Sequence, residues 1–205
     1  TLPDALFEQP AASTAGYDFF GNPLSAATRE NVKIYFNRTG SDLGVRPEQT
    51  DINRIKALFP DLNDRQSSEL IYSLPGSLLQ GRLQLDRWES EITRLTSELA
   101  TWARDTPNRD PSTGELLTPN EHFNQFYERE VFAGRIERLW RHRSTAHPLT
   151  RADVLSAQAN FIGDMPELSA DFSHITALSL NGNKQIRATS PFLRSFPRLK
   201  RLILH

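Results

Sequence analysis

The chain has 205 residues, 38% of them hydrophobic and 24% charged, with a net charge of −1 at neutral pH. That balance fits one or two folded domains, and it offers neither a basic excess for nucleic acid nor an acidic excess for a disordered tail. No run approaches the ~18 apolar residues that span a bilayer, and the absence of cysteine removes disulfides, thiolate metal sites and cysteine nucleophiles.

The opening segment, TLPDALFEQP, has no basic stretch leading into an apolar run, so it does not read as a secretory leader. Residues 1–49 are expected to form an extended arm and an irregular segment. Apolar islands at Leu6-Phe7 and Tyr17-Asp18-Phe19-Phe20 would dock the arm on the body, the alternative being a partly disordered terminus. Gly21-Asn22-Pro23 is a turn signal. Residues 25–37 carry two patterns: Ser25 suits a helix N-cap, whereas Val32, Ile34 and Phe36 alternate as in a strand. The helix is the preferred reading.

Residues 50–148 are expected to form a helical domain. Thr50 is a candidate N-cap for 51–59, where Ile52, Ile55 and Leu58-Phe59 recur at helical spacing before Pro60. Asn63 or Asp64 caps 64–74, which Pro75-Gly76 ends. The longest element is 77–104. Leu78, Leu85, Trp88, Ile92, Leu95, Leu99 and Trp102 form a heptad-like seam, and Arg87, Glu91, Arg94 and Glu98 mark a solvated opposite face. Its expected partner is 119–143, opened by Thr118-Pro119 with Glu121 following and lined by Phe123, Phe126, Tyr127, Val131, Ile136, Leu139 and Trp140. The pair 77–104/119–143 should make a long antiparallel hairpin. Arg135, Arg138, Arg141 and Arg143 crowd the end of the second helix. They read as a possible basic patch for an acidic partner, against the plainer reading of helix-dipole complementarity.

Residues 149–205 change character. Ile175, Leu178, Leu180 and Asn183 fit L-x-x-L-x-L-x-x-N. Leu199, Leu202 and Leu204 then repeat the apolar triplet, each at the same offset from its counterpart. A constant period of ~20–29 residues with this pattern marks leucine-rich repeats, whose L-x-L segments form short parallel strands. Leu155 precedes Leu178 by nearly that same offset, so 151–171 reads as an atypical capping repeat. The leucines should point into the core and the Asn183 amide should satisfy turn backbone. Thr176, Ser179, Asn181, Lys200 and Arg201 would then lie on or beside the concave, partner-binding face. The fold class expected is thus a mainly α domain followed by the start of an α/β leucine-rich-repeat solenoid.

The order of elements, with helices ending in Trp102 and Leu139-Trp140-Arg141 before LSADFSHITALSLNGN and FLRSFPRLKRLIL, resembles the region just upstream of the repeats in large bacterial effector-like proteins. Many members of that family end in a novel E3 ubiquitin ligase domain and begin with a dermonecrotic-toxin-like region. The resemblance covers roughly 50–205 and implies a virulence protein secreted into the host cytoplasm, whose repeats choose a protein target. The ligase cysteine of such proteins has no counterpart here, so the resemblance implies a non-catalytic recognition and capping fragment. Two alternatives stand beside it: a toxin-type activity in the helical region, or autoinhibition of a ligase domain.

No other chemistry stands out. The histidines, His122, His142, His147, His174 and His205, show no zinc-binding spacing, and Glu89, Glu91 and Glu98 alternate with arginines rather than pairing as acid and base. No catalytic residue, metal or cofactor is expected, and the partner class is protein rather than nucleic acid; the oligomeric state is open.

Overall fold

Six α-helices and three short strands make up the described residues, 2–143, 155–180 and 191–204, of the computed structural model. The helices are α1 (Asp4–Glu8), α2 (Ala26–Thr39), α3 (Gln49–Leu58), α4 (Asp64–Ser73), α5 (Leu78–Arg104) and α6 (Pro119–Arg141). The strands are β1 (Leu155–Ser156), β2 (Ala177–Ser179) and β3 (Arg201–Ile203). The chain is therefore mainly helical. It divides into two compact units, residues 1–89 and 90–205, and the division falls inside α5.

Local sequence explains where most helices begin. The Ser25 hydroxyl accepts the Thr28 N–H at 3.2 Å, so residues 26–39 wind as a helix, and Gly40 ends it in the left-handed conformation at φ 77°. Asn63 with Gln66 and Thr118 with Glu121 each close a capping box. Thr50 does not cap α3. That helix starts at Gln49 after Glu48, with no side-chain cap.

In the first unit, α2 acts on the junction between α4 and α5. Lys33 is fully buried, and its Nζ donates to the carbonyls of Tyr72, at 3.3 Å, and Leu74. These are orphan acceptors at the end of α4, where positive charge is favoured. Burial pushes the Lys33 ammonium below the usual lysine range, while Glu30 opposes the shift. One turn earlier on α2, the Glu30 carboxylate accepts the Leu78 N–H at 3.0 and 3.2 Å, placing negative charge at the start of α5. The Tyr72 hydroxyl donates to the Val45 carbonyl at 2.9 Å, and burial holds its phenol above the usual tyrosine range.

The arm of residues 2–24 folds back on this core. Leu6 is buried with Val32, Tyr35, Leu43, Val45 and Tyr72, and Phe7 meets Tyr35 edge-on at 6.2 Å. The second aromatic island docks through Phe19, half-buried against this core, while Tyr17 and Phe20 stay 50% and 60% exposed. The turn beneath it is unusual: Leu43 has φ 55° and Gly44 φ 71°, and the Leu43 carbonyl accepts the Phe19 N–H at 3.0 Å. A Cβ at Gly44 would lie 2.1 Å from Asp18 Oδ1, so a larger residue would displace the Asp18 carboxylate as well as strain a backbone conformation that suits glycine.

The first half of α5 belongs to this unit and packs on α3. Trp88 meets Phe59 edge-on at 5.5 Å, Arg82 pairs with Asp51 at 3.0 Å, and Arg54 pairs with Glu89 at 2.8 Å and with Asp86. The second half of α5 belongs to the second unit. In the second unit Trp102 meets Phe132, Thr96 meets Glu137 and Glu91 meets Arg143. That register is antiparallel, and it runs out near residue 91 because α6 ends at Arg141. Within the second unit, the second half of α5 thus pairs with α6, and α6 begins beyond the end of α5. Phe123 and Tyr127, expected on its buried face, lie on that overhang and are 63% and 55% exposed.

The second unit buries Leu95, Leu99, Phe132, Ile136, Leu139 and Trp140 between the helices, and Phe161, Phe172, Ile175, Leu178, Leu180, Phe192 and Phe196 beside them. The strands pair in parallel in the order β1-β2-β3.

Candidate functional site

The ladder aligns Leu155 with Leu178 and Leu178 with Leu202. These pairings carry the same offsets that recur in the sequence. Lys200 N–H and Arg201 N–H both donate to the Thr176 carbonyl, at 2.8 and 3.1 Å, and Leu180 N–H donates to the Ile203 carbonyl at 2.9 Å. Ile175, Leu178 and Leu180 are buried as the pattern requires, whereas Leu199 and Leu202 are half-buried and Leu204 is 47% exposed. Across from the leucines, Phe172 stacks on Phe196 at 4.9 Å, and Phe196 meets Phe192 at 5.2 Å.

Of the residues expected on a concave face, Thr176, Lys200 and Arg201 are exposed and adjacent. Ser179 is not open to a partner: it is 7% exposed, on the strand flanked by β1 and β3. Asn181 and Asn183 lie outside the described residues, as do residues 151–154 of the expected capping repeat.

The four arginines of the expected basic patch are not brought together as one open surface. Arg135 donates to the Gln158 carbonyl, and Arg141 bonds Glu137 at 3.5 Å. Arg143 donates to the Asp171 carbonyl at 2.6 Å, pairs with Glu91 at 3.5 Å and lies 4.2 Å over the Trp140 ring. Burial pushes its guanidinium below the usual arginine range, against the pull of Glu91 and Asp171. Arg138 is the exposed member. The reason is local: the irregular segment 158–171 crosses this end of α6 and presents carbonyls that arginines satisfy better than water can reach them.

The same segment recruits the face of α5 expected to be solvated. Glu98 accepts the Ser169 N–H at 3.0 Å and its hydroxyl, and Glu91 accepts the Asp171 N–H at 2.7 Å. Trp102 Nε1 donates to the Asp164 carbonyl at 3.0 Å, and Gln125 accepts the Ile162 N–H at 2.7 Å. Polar side chains of the two helices thus take the place of a strand partner for chain that has no regular structure.

Arg129 is the residue that pattern reading passed over. It is 3% exposed, and its Nη1 donates to the Trp102 and Asp105 carbonyls at 2.8 and 3.2 Å. Nη2 donates to the Ile162 carbonyl at 3.1 Å, and the guanidinium lies 4.7 Å from the Trp102 ring centre. Burial lowers its pKa, with Asp164 and Asp105 acting against the shift. Gly163, at φ 87°, lets the chain pass: a Cβ there would sit 2.7 Å from Arg129 Nη2 and 3.0 Å from Pro107 Cγ. The signal was present in the sequence. Arg129 stands in phase with Phe132, Ile136 and Leu139, so it is a charge within the apolar stripe.

His174 donates from Nε2 to the Leu139 carbonyl at 2.7 Å near the end of α6. Burial lowers its pKa, Arg143 and His142 add to the lowering, and the Leu139 bond and Asp171 oppose it. A histidine whose folded pKa is depressed binds fewer protons folded than unfolded, so stability falls as pH drops through the ordinary value of ~6.5. Denaturant midpoints taken from pH 7.5 to 5 should decline more steeply in the native chain than in His174→Gln, whose amide keeps a donor for Leu139. Parallel declines would remove His174 from the account.

Among the described residues no three His, Asp or Glu side chains converge as metal ligands, and no helix is long and apolar enough to cross a membrane. Comparison with protein-family models, with curated proteins and with solved structures finds no match.

Proposed function

We propose that the chain is a protein-recognition module: a helical region that leads into and shields the first, atypical repeats of a leucine-rich-repeat protein. The observation that carries this reading is the coincidence of two independent spacings. Leu155, Leu178 and Leu202, which recur at a near-constant offset in the sequence, are paired across the parallel ladder. A chance pattern of leucines has no reason to coincide with backbone pairing, whereas a repeat must bring equivalent residues into register. The helical hairpin supports the capping role, because it supplies apolar contact at the end of a stack that would otherwise meet water. On this reading the parent is a bacterial effector-like protein acting on a host protein. Any cysteine-dependent ubiquitin transfer would fall to another part of that parent, since this chain has no cysteine.

The partner surface would be the exposed group Thr176, Lys200 and Arg201, which suits an acidic patch on the target. Charge reversal of both Lys200 and Arg201 to Glu tests it. Affinity capture from host-cell extract, read by mass spectrometry, should recover a protein with the native chain and lose it with the double variant. Circular dichroism should be unchanged, because both side chains are exposed. Recovery of the same proteins by both forms would remove this surface from the proposal.

A further inference from the structure

We infer that the first unit carries a separate docking site for an acidic peptide segment with an apolar residue at its centre. The site is an open hollow of about 260 Å³ between the arm and the turn that follows α2, lined by Phe19, Phe20, Leu24, Arg29, Val45 and Arg46 among others. Its floor is apolar: Val45 is 2% exposed, and Phe19 and Leu24 are half-buried. Its wall is an aromatic ring left in water, Phe20, at 60% exposure. An aromatic ring held at the surface beside a hollow gains by being covered, and such rings anchor protein contacts.

The charge around the hollow selects the occupant. Arg46 lies with its guanidinium carbon 4.7 Å from the Phe20 ring centre, which holds the planar cation at the rim. Arg29 donates from Nε to the Leu24 carbonyl at 3.4 Å and from Nη1 to the Arg46 carbonyl at 3.2 Å. Its Nη2 takes no part in these bonds. Two guanidinium groups therefore border one hollow with an apolar floor, and among the described residues no acidic side chain lines it. Asp18 is near, but its carboxylate accepts the Phe20 N–H at 2.8 Å and is not part of the lining. Asp42 likewise turns inward, accepting the Gly44 N–H at 3.0 Å. An apolar side chain would fill the hollow, and flanking carboxylates would meet the two arginines in charge-assisted hydrogen bonds. A basic or neutral segment would gain nothing from the two guanidinium groups.

The hollow is also built rather than incidental. Leu43 in the left-handed conformation and Gly44 beside Asp18 fix the turn that carries Val45 and Arg46, and the Leu43 carbonyl fixes Phe19. The arm and the turn thus present Phe20 and Arg46 in a set geometry, which lowers the ordering cost of binding.

Fluorescence anisotropy with a short labelled peptide, in which glutamates flank a central phenylalanine and leucine, tests the inference on the whole chain. Saturable binding is expected, weakening at least about tenfold when the peptide's glutamates become glutamines, and at least as much for Phe20→Ala or Arg46→Glu. Both positions are exposed, and an unchanged melting curve would show that the fold survives each change. Amide shifts in the NMR spectrum should gather at Phe19–Leu24 and Val45–Arg46. Binding weaker than about 1 mM, equal binding of the glutamine or a lysine peptide, or native affinity in both variants would overturn it. The Lys200/Arg201 double variant should bind this peptide normally, which separates the present site from the ladder surface.

Discussion

Replacing Arg129 by alanine is expected to cost the second unit about 3 kcal/mol or more, because three backbone carbonyls lose a charged donor and each such loss costs on the order of 1–3 kcal/mol. The argument rests on what remains behind. The Trp102, Asp105 and Ile162 carbonyls would each lose a charge-assisted bond from a guanidinium on a side chain that is only 3% exposed. The rings of Trp102 and Phe161 would also lose the cation that sits 4.7 and 5.7 Å from their centres. Arg129→Lys should recover only part of the loss. A single ammonium cannot hold three divergent carbonyls as the guanidinium fork does, and it stacks poorly on rings. Urea unfolding of the three proteins measures the effect, and amide exchange at Ile162 and Gly163 shows where it acts. A native midpoint for Arg129→Lys would mean that charge alone matters, and a loss below ~1 kcal/mol for the alanine variant would mean that the network does not hold the segment.

Phe132→Ala should have a comparable cost, about 3–5 kcal/mol, for a different reason. Phe132 is fully buried and is the common neighbour of Trp102 at 5.8 Å, Phe161 at 5.2 Å and Phe192 at 6.0 Å. It therefore joins the helices to the irregular segment and to the turn Pro191–Ser195. Alanine leaves a cavity that three bulky rings cannot close without leaving their own partners. Phe132→Leu retains most of the volume and should lose ~1.5 kcal/mol or less. Calorimetric or urea unfolding of the two variants decides it. Equal losses would show that the aromatic geometry matters more than the filled space, while a negligible loss for alanine would show that the rings repack.

These two residues show the limits of pattern reading from opposite sides. Phe132 falls in the apolar stripe of α6 with Ile136 and Leu139, so its burial follows from helical spacing alone. Arg129 occupies the same stripe, yet nothing local says whether a charge there faces solvent or carbonyls. The answer depends on residues 162–164, which come much later in the chain. Arg143 and Glu98 carry the same lesson. Each looked like part of a solvated helix surface, and each holds the backbone of residues 169–171, because an irregular segment must find donors and acceptors somewhere. The expected basic patch dissolved for this reason. Heptad spacing along α5 shows that one face needs a partner, but not which: α3 packs on it within the first unit and α6 within the second.

What the sequence by itself determined was local or periodic. Ser25, Asn63 and Thr118 set helix starts because a cap acts within the first turn, and the recurring leucine offset coincides with the pairing of Leu155 with Leu178 and of Leu178 with Leu202 in the parallel ladder. What only the tertiary structure decided was the fate of the polar groups. Whether Lys33, Arg129, Glu91 or Ser179 meets water or backbone is settled by the chain that packs over it. Burial is a property of the assembled neighbours, and no spacing along one helix contains it.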